Sequence, residues 1–303
     1  MTILLRVLET ALPVLAALLL GMFCREKQFL TRDGIEALKK VVINLTLPFV
    51  LVNAFATAEY SFTTLLQPLL VFLLCCAGLV LGRLFSKLLK LPGRLPAYLC
   101  GGFEAGMLGY ALFVLLFPQD STANFAILDL GQTLFVFTLY KGLLSGKDSG
   151  KALVRDILIS PIIWAICVGV LLGATGLYKA MGQWSGIIDS LTSFLSAPTG
   201  MIILLTVGYD LVLKEIKFKD TARYIILRLV AMAVLLAVLI VLNRTILGGM
   251  IHEGAALLMF ILPPPYVLPI FADDPSQRTA MSSALSALTL TTIALFTVMT
   301  LIA

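Results

Sequence analysis

The chain has 303 residues, 60% of them hydrophobic and 13% charged, with 22 Lys and Arg against 17 Asp and Glu for a formal net charge of +5. So apolar a composition excludes an ordinary soluble domain and a disordered chain, and continuous rather than alternating apolar runs argue against a membrane β-barrel. What remains is an all-α polytopic membrane protein, in which about 20 apolar residues make one crossing and the length leaves room for roughly ten.

Apolar windows bounded by charges or turn residues place spans near 8–24, 39–57, 63–86, 95–117, 123–141, 157–177, 187–212, 223–246, 252–271 and 279–302. The first has the length of a signal-peptide core, but Glu9 precedes it and no clear cleavage site follows, so it reads as a spanning helix. In the second, Asn44, Pro48 and Asn53 are polar or helix-bending, and Asn53 is placed either to touch a ligand or to hydrogen-bond a neighbouring helix. The fourth is interrupted by Gly101-Gly102-Phe103-Glu104-Ala105-Gly106-Met107-Leu108-Gly109, followed by Tyr110. Glycines weaken a helix, and a charged carboxylate near the bilayer centre costs about 2.5–3.5 kcal/mol, which favours a functional role, a partner or protonation for Glu104. The bland alternatives are a protonated Glu104 in a helix contact or a helix end nearer the interface.

In the fifth span Asp129, Gln132 and Thr133 are spaced i, i+3, i+4 and share one helix face, where they can reach the same place as Glu104. After it, Ser145-Gly146-Lys147-Asp148-Ser149-Gly150-Lys151 is the clearest linker. It resembles a phosphate loop only superficially, because residue 145 is Ser where Gly is required and 152 is Ala where Ser or Thr is required. The seventh span carries Ala197-Pro198, as the second carries Leu47-Pro48. The ninth opens with His252 beside Glu253, more an interfacial anchor than a proton relay, and is broken by Leu262-Pro263-Pro264-Pro265-Tyr266. In the tenth, Ser282, Ser286 and Thr289 form a hydroxyl stripe, evenly balanced between a site and packing. The glycine pairs 78/82, 102/106 and 169/173 read as close helix packing. Five cysteines lie in or beside apolar segments without metal-ligand spacing, and one histidine with no acidic loop pair supports neither a zinc nor a serine hydrolase. The expectation is no enzyme, no cofactor and no metal site.

Alternate loops hold 19 of the 22 Lys and Arg, counting Arg223 and Arg228 with the fourth basic loop and leaving Arg6, Lys179 and Arg244 opposite. Basic loops stay cytoplasmic, so both termini are expected outside the cytoplasm. The linker at 147–151 divides the chain into repeats at 1–146 and 152–303 with five spans each, and an odd number per repeat inverts one against the other. One broken helix at a corresponding place in each half is the pattern of a secondary transporter, since freed backbone at membrane depth must line a cavity or be buried in protein.

The chain resembles the auxin efflux carrier family, whose bacterial members are relatives of plant PIN proteins. The residues that carry the likeness are Gly21-Met22 before a basic loop, Val42-Ile43-Asn44-Leu45-Thr46-Leu47-Pro48, Gly106-Met107-Leu108-Gly109 and Leu128-Asp129-Leu130-Gly131-Gln132-Thr133-Leu134-Phe135-Val136-Phe137. Ile162-Ile163 with Gly169 and Gly173, then Ala197-Pro198 and Leu262-Pro263-Pro264, continue it through nearly the whole chain. The resemblance implies ten helices, with 1, 2, 6 and 7 as a scaffold and 3–5 with 8–10 as a transport domain whose broken helices 4 and 9 cross. It implies small organic anions as substrates, a homodimer through the scaffold, and a site beside the crossover. Carried onto this chain, that site takes in Glu104, Gly106, Gly109, Tyr110, Pro263, Pro264, Pro265 and polar groups of the fifth and tenth spans, Asp129, Gln132 and Ser286 among them.

Family members commonly have Asn at the position of Glu104 and Pro near Ala111. A charged Glu104 repels a carboxylate by about 4 kcal/mol at 4 Å even at an effective dielectric of 20. Either it is protonated when substrate binds, which makes Glu104 and Asp129 proton-coupling groups, or the substrate is an amine, a zwitterion or neutral. The expected function is secondary transport of a small metabolite, a carboxylate foremost, in a bacterial inner membrane. Sodium coupling, as in the related bile-acid symporters, and a membrane receptor that binds without transport are the alternatives.

Overall fold

The computed structural model describes residues 3–145, 158–211, 218–266, 268 and 275–302. The linker at 147–151 lies outside the described residues, as does the ninth window beyond Leu268. Among the described residues all regular structure is helical: α1 (Ile3–Glu26), α2 (Arg32–Val41), α3 (Leu47–Ala56), α4 (Phe62–Leu88), α5 (Leu95–Tyr98), α6 (Tyr110–Leu116), α7 (Ala123–Phe135) and α8 (Lys141–Ser145). The second half supplies α9 (Pro161–Ala174), α10 (Leu177–Ala180), α11 (Ser185–Ser196), α12 (Thr199–Asp210), α13 (Phe218–Thr245), α14 (Glu253–Ile261) and α15 (Pro275–Ile302). Wider π turns at Val42–Thr46, Ala105–Gly109 and Val136–Tyr140 join α2 to α3, lead into α6, and join α7 to α8.

Every apolar window of the sequence contains helix, but only five helices among the described residues are long and apolar enough to cross a membrane: Leu66–Leu88, Ala123–Leu144, Gly182–Asp210, Thr221–Thr245 and Ser276–Leu301. The helices at the two breaks are shortened by the residues that break them, whereas α1 runs 24 residues from Ile3 to Glu26. The helix of the second window begins earlier than hydropathy placed it, running on from Arg32 through the π turn to Ala56. Thr31 takes the Gly34 N–H at 3.1 Å and starts the amphipathic α2, whose Ile35 is fully buried while Arg32, Asp33 and Lys40 stay exposed and Glu36 and Lys39 are half-buried.

The helices pack in pairs: α1 against α12, α3 against α9 and α11, α4 against α7 and α13, and α15 against α1 and α13. The α1–α12 crossing is so close that a side chain at Gly21 would run into the Leu205 carbonyl, and one at Gly208 into that of Leu18. Gly169 and Gly173 likewise lie on α3, and Gly78 and Gly82 on the chain around Ala97 and Cys100. The pair 102/106 does not join helices, because both residues sit in the break itself.

Candidate functional site

The first break begins where α5 tightens, with the N–H groups of Cys100 and Gly101 reaching back to the carbonyls of Ala97 and Tyr98. Gly102 then turns the chain with φ of +74°, a left-handed conformation that costs any residue with a Cβ more than glycine. The second break is made by proline. Leu262 precedes Pro263 and takes extended backbone (φ −62°, ψ 151°), and three prolines that lack N–H groups cannot continue α14. The two breaks are stitched together. Glu104 N–H donates to the Pro263 carbonyl at 2.8 Å, and the Glu104 carboxylate accepts the Tyr266 N–H at 2.6 Å. Polar backbone exposed by one break is thus satisfied by the other.

Arg228 completes this crossover. Its Nε and Nη2 donate to the Leu262 carbonyl at 3.1 and 2.7 Å, Nη2 to that of Gly102 at 3.1 Å, and Nη1 to that of Leu99. The guanidinium carbon lies 5.5 Å from the centroid of the Phe103 ring. One side chain on α13, 2% exposed, therefore holds the carbonyl ends of both broken segments. Counting Arg228 with a cytoplasmic basic loop is overturned, and the positive-inside pattern loses that residue. A signal was present in Ile225-Ile226-Leu227-Arg228-Leu229-Val230, since a cation within an apolar run invites the same scrutiny as Glu104.

Asp129 sits beside the crossover with both carboxylate oxygens hydrogen-bonded. Tyr110 Oη donates to one oxygen at 3.0 Å, while Gln132 Nε2 and Thr133 Oγ1 donate to the other at 3.1 and 3.2 Å. The i, i+3, i+4 spacing brings the latter two together, and Tyr110 arrives from α6. Tyr266 Oη and Thr289 Oγ1 meet at 3.0 Å, tying the second break to α15.

These groups face a cavity of about 680 Å³. Glu104, Gly106, Asp129, Gln132, Pro265 and Ser286 line it. Tyr110, Gly109, Pro263 and Pro264 stand behind that lining: Tyr110 on Asp129, Gly109 in a space that Phe125 and Leu262 leave for no side chain, and the two prolines buried at the break. Asn53 is elsewhere. Its amide donates to Thr192 Oγ1 at 3.0 Å and more weakly to Asp189, joining α3 to α11. His252 also stays outside, its Nδ1 accepting the Ala255 N–H and its Nε2 lying 3.2 Å from Asp120.

One end of the cavity is ringed by charge. Arg32 lies 2.7 Å from Asp210 and 3.2 Å from Glu36, and Lys39 lies 2.6 Å from Asp210 and 3.0 Å from Glu36. Arg25 caps the same end of α12 by donating to the carbonyls of Tyr209 and Leu211 at 2.9 and 2.5 Å. In the ring, the hydrogen bond from Lys39 does most to hold the Glu36 carboxyl below its ordinary value. The charges of Lys39, Arg32 and Lys40 add to this against partial burial.

Residues 6–143, which contain the first break, Glu104 and the Asp129 cluster, match the family described as membrane transport protein. That part of the chain is similar to the auxin efflux carrier family of membrane transporters. An uncharacterised transporter of Methanothermobacter thermautotrophicus is 25% identical to this protein over 217 residues, covering 67% of each chain. These similarities and the apolar helices support a multi-pass membrane transporter with a small-molecule substrate. In this chain the first break is made at glycine, and the Glu104 carboxylate there accepts the Tyr266 N–H of the second break.

Proposed function

We propose that this transporter moves a small organic metabolite by displacing one group of helices against another. The moving group is α4–α8 with α13–α15, and the scaffold is α1–α3 with α9–α12. One observation carries the reading. Beyond the charged ring, every polar side chain that lines the cavity belongs to the moving group, whereas the scaffold lines it with Ile43, Leu47, Leu51, Ile162, Val207 and Leu211. A site whose polar contacts all travel together can slide past an apolar wall without breaking hydrogen bonds to it, as elevator-like displacement requires.

The packing pairs support two inverted five-helix repeats: contacts of the first span with the seventh, and of the second with the sixth, exchange under such symmetry. With the basic loops in the cytoplasm, the charged ring marks the cytoplasmic mouth and both termini lie on the far side of a bacterial inner membrane. A carboxylate substrate is admitted when Glu104 or Asp129 takes up a proton, which relieves repulsion of about 4 kcal/mol at 4 Å and effective dielectric 20 and couples transport to the proton gradient. Exposed apolar side chains on the scaffold, including Trp164, Ile187 and Phe194, are available to lipid or to a second subunit of a homodimer.

The test is accessibility. Ser286→Cys should react with an impermeant thiol reagent from either side of the membrane, with a transported compound shifting reaction from one side to the other. Reaction from a single side under all conditions overturns alternating access. The five native cysteines serve as the background, Cys167 alone being exposed among them.

A further inference from the structure

The two broken helices meet a second time, at the end of the molecule away from the charged ring. α13 starts close after Asp210, and its Thr221–Thr245 stretch is long and apolar enough to cross a membrane, so its last turn and the start of α14 lie across from that ring. There Phe117, just past the end of α6, packs on α14. A side chain at Gly254 would run into the Phe117 ring, whose centroid lies 5.2 Å from that of His252 at nearly a right angle. Asp120 closes the turn after α6, its N–H donating to the Phe117 carbonyl at 3.1 Å.

His252 stands between these elements and uses both ring nitrogens. Nδ1 accepts the Ala255 N–H at 2.9 Å and so caps the first turn of α14, while Nε2 lies 3.2 Å from an Asp120 carboxylate oxygen. The first contact fixes the tautomer. An Nδ1 that accepts carries no proton, so the neutral ring holds its proton on Nε2, against Asp120.

Ser, Thr and Asn cap helices without titrating, whereas imidazole is the side chain whose charge ordinarily changes between about pH 5 and 8. A second proton on this ring must go to Nδ1, the atom that takes the Ala255 N–H. It removes the cap outright and sets a cation against the positive end of α14. The charged side chains that meet this turn among the described residues are Asp120, Glu253 and Arg244. Glu253 is already engaged, since Arg244 donates to both of its oxygens at 2.8 Å. The protonated ring is therefore drawn to Asp120 and away from α14. The His252 and Asp120 side chains are 26% and 39% exposed, which leaves both open to solvent protons.

We propose that His252 is a proton-operated latch on the first turn of α14. Neutral, it caps that turn and ties it to the turn after α6; protonated, it gives up the Ala255 N–H, stays with Asp120, and leaves the start of the second broken helix to fray. The latch stands on this local geometry and is independent of the transport reading.

His252 is the single histidine of the chain, so the imidazole signal of protein made with isotope-labelled histidine and purified without a histidine tag reports this site alone. In the full chain in detergent, nuclear magnetic resonance at neutral pH should show a ring protonated on Nε2 only, and in acid a ring protonated on both nitrogens. Amide exchange at Ala255, corrected for the intrinsic effect of pH, should rise roughly fivefold in acid as the cap is lost. His252→Asn supplies a cap that does not titrate and should keep Ala255 protected at both pH values. Asp120→Asn should move the rise in exchange to lower pH, because the imidazolium loses its partner. A ring protonated on Nδ1 at neutral pH, no rise in wild-type exchange in acid, or the same rise in His252→Asn overturns the proposal. The tautomer and the acid response are read on the unsubstituted protein, so a variant that fails to fold does not shield the proposal from refutation.

Discussion

Glu104 and Arg228 divide the work of the crossover. Arg228 satisfies three carbonyls that broken helices leave behind, and Glu104 takes an N–H from the other break. Arg228→Met leaves those carbonyls buried without donors. At about 1–3 kcal/mol for each unsatisfied group, and with some relief from rearrangement, the variant should lose about 3 kcal/mol, read as a lowered melting temperature in detergent. Arg228→Lys keeps the charge but not the planar fork, so it should fall between the two, and wild-type stability in both variants would contradict the assigned role. Glu104→Gln keeps an acceptor for Tyr266 and should fold, yet transport in it should no longer depend on pH. An unchanged pH profile would remove Glu104 from proton coupling. Of these two residues only Glu104 was legible beforehand, because its position inside a glycine cluster drew attention, while Arg228 lay close enough to a basic loop to be taken as part of it.

At the scale of elements, the sequence disclosed where helices stop better than how long they run. Three consecutive prolines and a glycine pair announce breaks whatever surrounds them, since both act through the backbone alone. Partner choice was less legible. Gly21 and Gly208 are far apart in sequence and form one contact, so neither advertises the other. A side chain forced into that crossing, as in Gly208→Leu, should prevent α1 from seating and leave little monodisperse protein; normal yield and stability would contradict the packing. α2 escaped hydropathy because it is amphipathic and lies beside the span. Its ring with Asp210 carries a pH dependence of defined sign. Glu36 has its carboxyl held low, so the ring's contribution is complete at neutral pH and is lost as pH falls through that lowered value. The pairs are still open to solvent on the Arg32 and Glu36 side, so the effect is local and worth about 1 kcal/mol. Spin labels on α2 and at the end of α12 should give a narrow distance distribution at neutral pH that broadens in acid. Glu36→Gln should be broad already at neutral pH, and a distribution that acid leaves narrow would contradict it.

For the whole molecule, composition was enough to point to a helical membrane protein, and motif order was enough to point to the family that residues 6–143 match. The arrangement of the cavity was not readable, because wall chemistry depends on which helix faces which. Ile43 is an unremarkable residue until the fold sets it in one cavity lining with Ser286, which the hydroxyl stripe had already singled out. The proposed orientation rests on the basic loops, and under it Asp148→Cys should react with impermeant reagent only after the membrane is opened, the reverse result inverting the topology. The central claim is that the crossover belongs to a transporter. Its most direct test is uptake by proteoliposomes, with mono- and dicarboxylates, amino acids and amines supplied at two pH values with and without sodium. The account predicts saturable accumulation of a specific compound that grows with an inward proton gradient. Saturable binding with no accumulation of any compound would contradict it and leave a receptor in its place.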